Sequence, residues 1–233
     1  MSLTINNKSI QRVMVVDNQP DSLDAIAYSI EEASLEPIVY QKPFTSIQEC
    51  LSMVTEKAEA AIFAHHLGPQ NTVHFSGASA VAHLYQQQFP SLLVTAWAEA
   101  DIDNIRPFRK SIPVVMRSSE ATPEAIIEGI RQCSLEFENH YLPERRPWRT
   151  MLEIEEINQE SNLVYAIIPG WHPDEVVRFP LAMFPENLQP LVIADAYFFA
   201  KVNVGAKNQN QLYFQEFEVA EAPGEEYAKF VRS

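Results

Sequence analysis

The chain is poor in the residues on which several kinds of function depend. Only two of its 233 residues are cysteines, Cys50 and Cys133. So few, set so far apart, they build neither a disulfide framework nor a cysteine zinc pattern. Both lie in amphipathic runs, so buried thiols are expected. Six glycines leave little room for a phosphate-binding loop, and no Gly-x-Ser-x-Gly or His-Glu-x-x-His pattern occurs. No residue therefore qualifies for a catalytic role, and the expectation is a protein that is not an enzyme.

Positive charge is scarce as well. Lys and Arg number 17 against 31 Asp and Glu, a net charge of −14, which opposes long-range attraction to nucleic acid or to an anionic membrane. The balance is 9 − 15 = −6 over residues 1–135 and 8 − 16 = −8 over residues 136–233. The second half is the more acidic, which argues against a DNA-binding output there. No apolar run approaches the roughly 20 residues that span a bilayer, and no basic segment leads into an apolar one at the start. The expectation is a cytoplasmic protein without DNA or membrane as a partner.

What is present is alternation. Val13-Met-Val-Val16 is a short apolar run suited to a strand buried on both faces of a parallel sheet. Asp17, Asn18 and Pro20 break it. Leu23, Ile26, Ala27 and Ile30 recur at helical spacing, which predicts a helix over 21–33 capped near Asp21 or Ser22. The pattern continues with strand 37–40, helix 44–54, strand 60–64, helix 77–88, strand 92–94, a weaker helix near 98–109, strand 113–116 and helix 122–133. Five strand and helix pairs predict a five-stranded parallel, doubly wound α/β domain over residues 10–135. In such a sheet chemistry gathers at the carboxyl ends of the strands. Those ends carry Asp17 and Asn18, His65 and His66, Thr95 and Ala96, and Arg117 and Ser118.

These strand ends resemble those of a response-regulator receiver domain of two-component systems, of the flavodoxin-like class. Val-Val-Asp-Asn-Gln-Pro-Asp matches the first strand end, where the family has two acids that hold magnesium; Asp17 keeps one, and Asn18 is a neutral amide. Ala61-Ile-Phe-Ala-His-His-Leu-Gly-Pro69 matches the third strand, and the phospho-accepting aspartate, four residues before the proline, falls on His65. Thr95-Ala96 keeps the family's switch hydroxyl and small residue. Arg117 and Ser118 stand for Lys-Pro. The resemblance covers residues 12–134.

The family reaction needs a carboxylate nucleophile and a hard cation held by carboxylates. His65 cannot form an acyl phosphate. Asp17 is the only acid left at the matched positions, so magnesium is not expected, nor any other cofactor. Arg117 is a planar fork rather than a point charge, and an ion pair of Asp17 with Arg117 or His65 would lock one conformation. His65, His66 and His74 beside Asp17 lack compact ligand spacing, so a metal site is not expected. In receivers the face of the fourth helix, fifth strand and fifth helix often makes the dimer or partner contact. Here it would involve residues 105–107, 114–115 and 126–133.

Residues 136–150 contain two prolines and three arginines around Trp148, with a poor period, and read as a linker. Arg145, Arg146 and Arg149 suit docking on an acidic surface better than nucleic-acid binding. Residues 151–230 hold six predicted strands, at 151–157, 163–168, 175–179, 191–194, 197–204 and 211–219. They imply a small antiparallel β-barrel or sandwich. Consecutive Tyr197-Phe198-Phe199 must place at least one aromatic outside the core. Trp171, His172 and Asp174 lie together in one loop as a candidate surface or pocket, though a Pro-bounded turn with polar residues in solvent explains them better.

The composite expectation is a degenerate, or pseudo-, receiver domain joined to an acidic β domain, signalling through a protein partner or a homodimer rather than by aspartyl phosphorylation. Two alternatives stand beside it. One is a phosphorelay response regulator with an atypical site, in which Asp17 or another acid takes the phosphate; the other is a ligand-binding or hydrolytic β domain with the receiver-like domain as scaffold.

Overall fold

A computed structural model of the chain describes residues 3–5, 8–41, 44–68, 74–96 and 100–222. It divides into two compact units, one of Met1–Asp101 with Ser111–His140 and one of Ile102–Lys110 with Tyr141–Ser233. Among the described residues no helix is long and apolar enough to cross a membrane.

In chain order the elements of the first unit are β1 (Leu3–Ile5), β2 (Lys8–Ile10), β3 (Arg12–Val16), α1 (Pro20–Glu32), β4 (Glu36–Tyr40), α2 (Ile47–Lys57), β5 (Ala60–Ala64), α3 (Gly77–Gln86) and β6 (Ser91–Val94). A short α4 (Ile102–Ile105), which belongs to the second unit, precedes β7 (Val115–Met116) and α5 (Pro123–Phe137). The main sheet has the order β4-β3-β5-β6-β7 with every pairing parallel. The hairpin β1-β2 is an addition that the sequence pattern did not reveal.

Counted among the parallel strands alone, the order is 2-1-3-4-5, that of the flavodoxin-like doubly wound sheet. The first unit therefore has the receiver-like fold. Its strands are buried on both faces. Val13, Val15, Ile62, Leu92 and Val94 join Leu23, Ile26 and Ile30 of α1 and Ile126 and Ile130 of α5 in one core. The alternate residues Met14, Val16, Ala61, Phe63 and Leu93 are buried too. They line the opposite face, where α2 and α3 pack on the strands.

Helix starts follow local chemistry. Ser46, Ser76 and Thr122 cap α2, α3 and α5 through their hydroxyls. α1 starts earlier than the expected Asp21 or Ser22, with Gln19 as cap and Pro20 in the first turn, where a missing N–H costs nothing. The helix expected near 98–109 is reduced to α4 and a 3-10 stretch, Arg106–Ser111. Pro107 accounts for this, because the residue before a proline is driven out of the α region and the proline itself donates no hydrogen bond. Residues 97–99 lie outside the described residues. Ile102–Lys110 groups with the second unit, so the expected domain of 10–135 is not continuous.

The second unit contains β8 (Trp148–Asn158), β9 (Leu163–Ile168), β10 (His172–Pro180), β11 (Tyr197–Val202) and β12 (Phe214–Ala220). They form one five-stranded antiparallel sheet of order β10-β9-β8-β11-β12. The sixth strand, expected at 191–194, is absent among the described residues; Gln189–Leu191 is a 3-10 turn, and Leu191 and Ile193 are exposed. Pro190 within that turn withholds a ladder donor, and Asp195 at φ 63° turns the chain away from extended geometry.

The interior of this unit is filled by phenyl rings. Phe184 lies 4.2 Å from Phe217 and 4.9 Å from Phe198, and Phe179 lies 4.5 Å from Phe214, between ring centroids. Of the three consecutive aromatics only Phe198 enters the core. Tyr197 donates to Glu153 from the other face, and Phe199 lies beneath the Arg149 guanidinium.

The expected linker is ordered structure. α5 runs on to Phe137, Pro143–Arg145 is a 3-10 turn, and β8 starts at Trp148. Arg145 is 4% exposed and donates to the carbonyls of Arg109 and Lys110 at 3.0 and 2.9 Å. Its guanidinium also stacks on Tyr213.

Candidate functional site

The carboxyl ends of β3, β5 and β6 border a cavity of about 240 Å³ lined by Asp17, Gln19, Ser22, Ala64, His65, His66, Val94, Thr95, Ala96 and Ser118. Four of the five positions matched to the receiver motif have clear places in or beside it. Asp17 is buried at the end of β3, and its Oδ1 accepts the Gln19 N–H at 3.0 Å. With the Asn18 amide oriented to satisfy both of its ends, Nδ2 donates to Asp17 Oδ1 at 3.2 Å and to the His66 carbonyl at 3.1 Å. An amide donor thus meets the carboxylate where a second acid would have repelled it.

His65 is 3% exposed. Its main chain is held from both sides: its N–H donates to the Val94 carbonyl at 3.2 Å, and its carbonyl accepts from Gly77 at 2.9 Å. Gly77 is required there, because a Cβ at that position would collide with the Ala64 carbonyl oxygen. Loss of hydration pushes the His65 imidazole below the ordinary histidine range; the nearby Asp101 carboxylate opposes that shift, and His66 adds to it. Its Nδ1 is buried without a hydrogen-bond partner among the described residues.

One side-chain contact in this pocket has no counterpart in the sequence pattern. It is a hydrogen-bond contact of His66 Nε2 with Asp101 Oδ2 at 3.0 Å; the expected pairing of Asp17 with Arg117 or His65 is not seen among the described residues, where Asp17 accepts from Gln19. Thr95, matched to the switch-hydroxyl position, is buried and donates to the same Asp101 oxygen at 3.4 Å. Arg117 is exposed beyond the end of β7, where its N–H donates to Glu120 in a short cap. His74 is exposed, and Pro69 lies outside the described residues. Asp101 had no cue in the sequence: it is one of three acids in Glu99-Ala-Asp-Ile-Asp103, and nothing in that run singles it out.

The face expected to make partner contacts has both buried and exposed residues; Pro107, Glu128 and Arg131 are exposed. Ile126, Ile130 and Cys133 belong to the core of the first unit. Ile105 and Arg106 are buried in the second unit, where Arg106 donates to the Gln209 and Leu212 carbonyls at 2.8 and 3.1 Å.

In the second unit the candidate trio separates by role. Trp171 Nε1 donates to the Ala206 carbonyl at 2.7 Å and its ring packs on the core. His172 and Asp174 are exposed on β10, next to an irregularity in its pairing with β9. Trp171 is thus tied to the core of the unit, and its ring also meets that of His172, with centroids 5.9 Å apart.

No family model matches the chain, and no curated protein matches it. Among solved structures, it is similar to a response regulator receiver domain protein from Clostridium thermocellum, with 16% identity over 56% of this chain and 98% of that one, at a TM-score of 0.42. It is also similar to the N-terminal domain of a response regulator/sensory box/GGDEF protein from Carboxydothermus hydrogenoformans, with 16% identity, 55% and 98% coverage and a TM-score of 0.41. A third is the anti-anti-sigma factor PhyR from Bartonella quintana, with 19% identity, 57% and 50% coverage and a TM-score of 0.41. The fold assignment rests on the strand order and not on these likenesses.

Proposed function

We propose that this protein is a response-regulator-like signalling protein whose receiver-like unit is degenerate and works through protein contacts rather than aspartyl phosphorylation. The observation that carries the reading is His65, buried at the carboxyl end of the third parallel strand, where the receiver reaction requires a carboxylate. An imidazole there forms no acyl phosphate. Asn18 reinforces the reading, because its amide supplies Asp17 with a donor where the family supplies a cation. Thr95 remains but donates to Asp101.

The test is incubation of the full chain with magnesium and acetyl phosphate, and separately with beryllofluoride. Neither a hydroxylamine-labile phosphoprotein nor magnesium-dependent beryllofluoride binding is expected. An acyl phosphate abolished by Asp17→Asn or Asp101→Asn would overturn the reading in favour of an atypical phosphorelay regulator. The reading of the second unit as a ligand-binding or hydrolytic domain is weakened by the phenyl rings that fill its interior.

A further inference from the structure

We propose that His65, His66 and Asp101 form a binding site for a divalent transition metal ion of the zinc class at the carboxyl end of the parallel sheet. One potential ligand atom from each residue lies within 4.8 Å of the other two. Tetrahedral zinc with bonds of about 2.0–2.1 Å needs its ligand atoms roughly 3.3 Å apart. Small side-chain rotations therefore close the triangle, and His66 Nε2 and Asp101 Oδ2 already stand at 3.0 Å.

A second, independent observation points the same way. The His65 ring is almost wholly buried, yet Nδ1 has no hydrogen-bond partner among the described residues. Leaving a buried polar nitrogen unsatisfied costs free energy, and coordination through Nδ1 would remove that cost. The surroundings hold the ligands as a metal site requires. The His65 backbone is clamped between Val94 and Gly77, and Thr95 orients Asp101 as an outer partner.

The donor set decides the class of ion. Two imidazoles and one carboxylate suit zinc, cobalt, nickel or iron, whereas magnesium and calcium prefer oxygen ligands. His66 is exposed and gives the ion a route in, and the adjoining cavity leaves space for a water or small anion as a further ligand. Asp101 is 8% exposed and set on the side of His66, so a bound ion would replace the His66–Asp101 hydrogen bond and tie the loop after β6 to the end of β5. This inference does not depend on the proposed function: zinc binding and failure to accept phosphate are separate measurements, and either can fail alone.

The experiment is zinc titration of the full chain, stripped with EDTA, against a chromophoric chelator, with cobalt(II) absorption as a second readout. One ion per chain is expected, with no competition from millimolar magnesium. His66→Ala and Asp101→Asn should each weaken zinc binding at least tenfold and abolish the visible cobalt bands. His65→Gln should do the same, with circular dichroism confirming the fold; since His66 is exposed, His66→Ala keeps the test decisive if the buried variant misfolds. His74→Ala and His172→Ala serve as controls and should bind as the parent does. Zinc binding that survives His66→Ala and Asp101→Asn, or that disappears with His74→Ala or His172→Ala, would overturn the proposal, as would the absence of binding at micromolar zinc.

Discussion

In the second unit the buried Asn203 gives its amide to the Glu144 and Gln211 carbonyls, at 2.9 and 3.0 Å, and takes the Tyr213 N–H at 2.8 Å. In the first unit the equally buried His65 leaves Nδ1 unpartnered beside a cavity. Both are polar side chains inside apolar surroundings, where satisfied groups stabilise and unsatisfied ones cost free energy. The contrast separates a fully satisfied buried polar group from one with a nitrogen left over. Asn203 is tied off by three hydrogen bonds, while His65, in the lining of a cavity, keeps a buried nitrogen without a partner among the described residues.

The sharpest way to test that contrast is to remove Asn203. Asn203→Ala removes the side-chain partner of three backbone groups of the second unit and should cost about 3 kcal/mol in urea denaturation of the full chain. A loss below about 1 kcal/mol would mean that water replaces the amide. Next in size is Gly77→Ala, which forces a Cβ into the Ala64 carbonyl. A cost of about 1–3 kcal/mol is expected from such overpacking, and tertiary probes of the His65 pocket should change with it.

A smaller effect is expected from pH. Burial holds the His65 imidazole below its ordinary range, so the unfolded chain binds the proton first as pH falls through about 6.5. The stability contributed by the neutral imidazole is therefore complete above that pH. It is lost on acidification, at no more than about 1.4 kcal/mol per pH unit, until folded His65 itself protonates. In EDTA-treated protein, His65→Gln should flatten stability between pH 7 and pH 5; an unchanged slope would place the acid sensitivity elsewhere. The smallest effects belong to His172→Ala and Asp174→Ala, each within about 0.5 kcal/mol on chemical denaturation, as expected for exposed residues. A larger loss from either would show that the loop is more than a turn.

The parallel sheet was legible because period carries it. Val13 to Val16 and Ala60 to Ala64 are short apolar runs, and α1 and α5 show their buried faces at helical spacing. Where proline intervened, the period misled. The run near 98–109 looked helical but yields four residues of α4 and a 3-10 stretch, and 191–194 looked extended but follows a 3-10 turn containing Pro190. The linker arginines were visible as a cluster, yet no local pattern shows that Arg145 is buried against the carbonyls of Arg109 and Lys110. The matched strand ends placed Asp17, His65 and Thr95 at one pocket, since adjacent parallel strands finish on the same edge.

Two things followed from the sequence by itself: the receiver-like order of elements, and the presence of Asn18 and His65 beside Asp17 and Thr95 at the strand ends. Both are local, because hydrophobic period and residue identity are properties of short stretches of chain. Only tertiary structure decided that Ile102–Lys110 belongs to the second unit, and that Asp101 meets His66 across 35 residues of sequence. A carboxylate acquires its partner from folded geometry, and the neighbouring Asp101 and Asp103, with the same local chemistry, differ only in where the chain carries them.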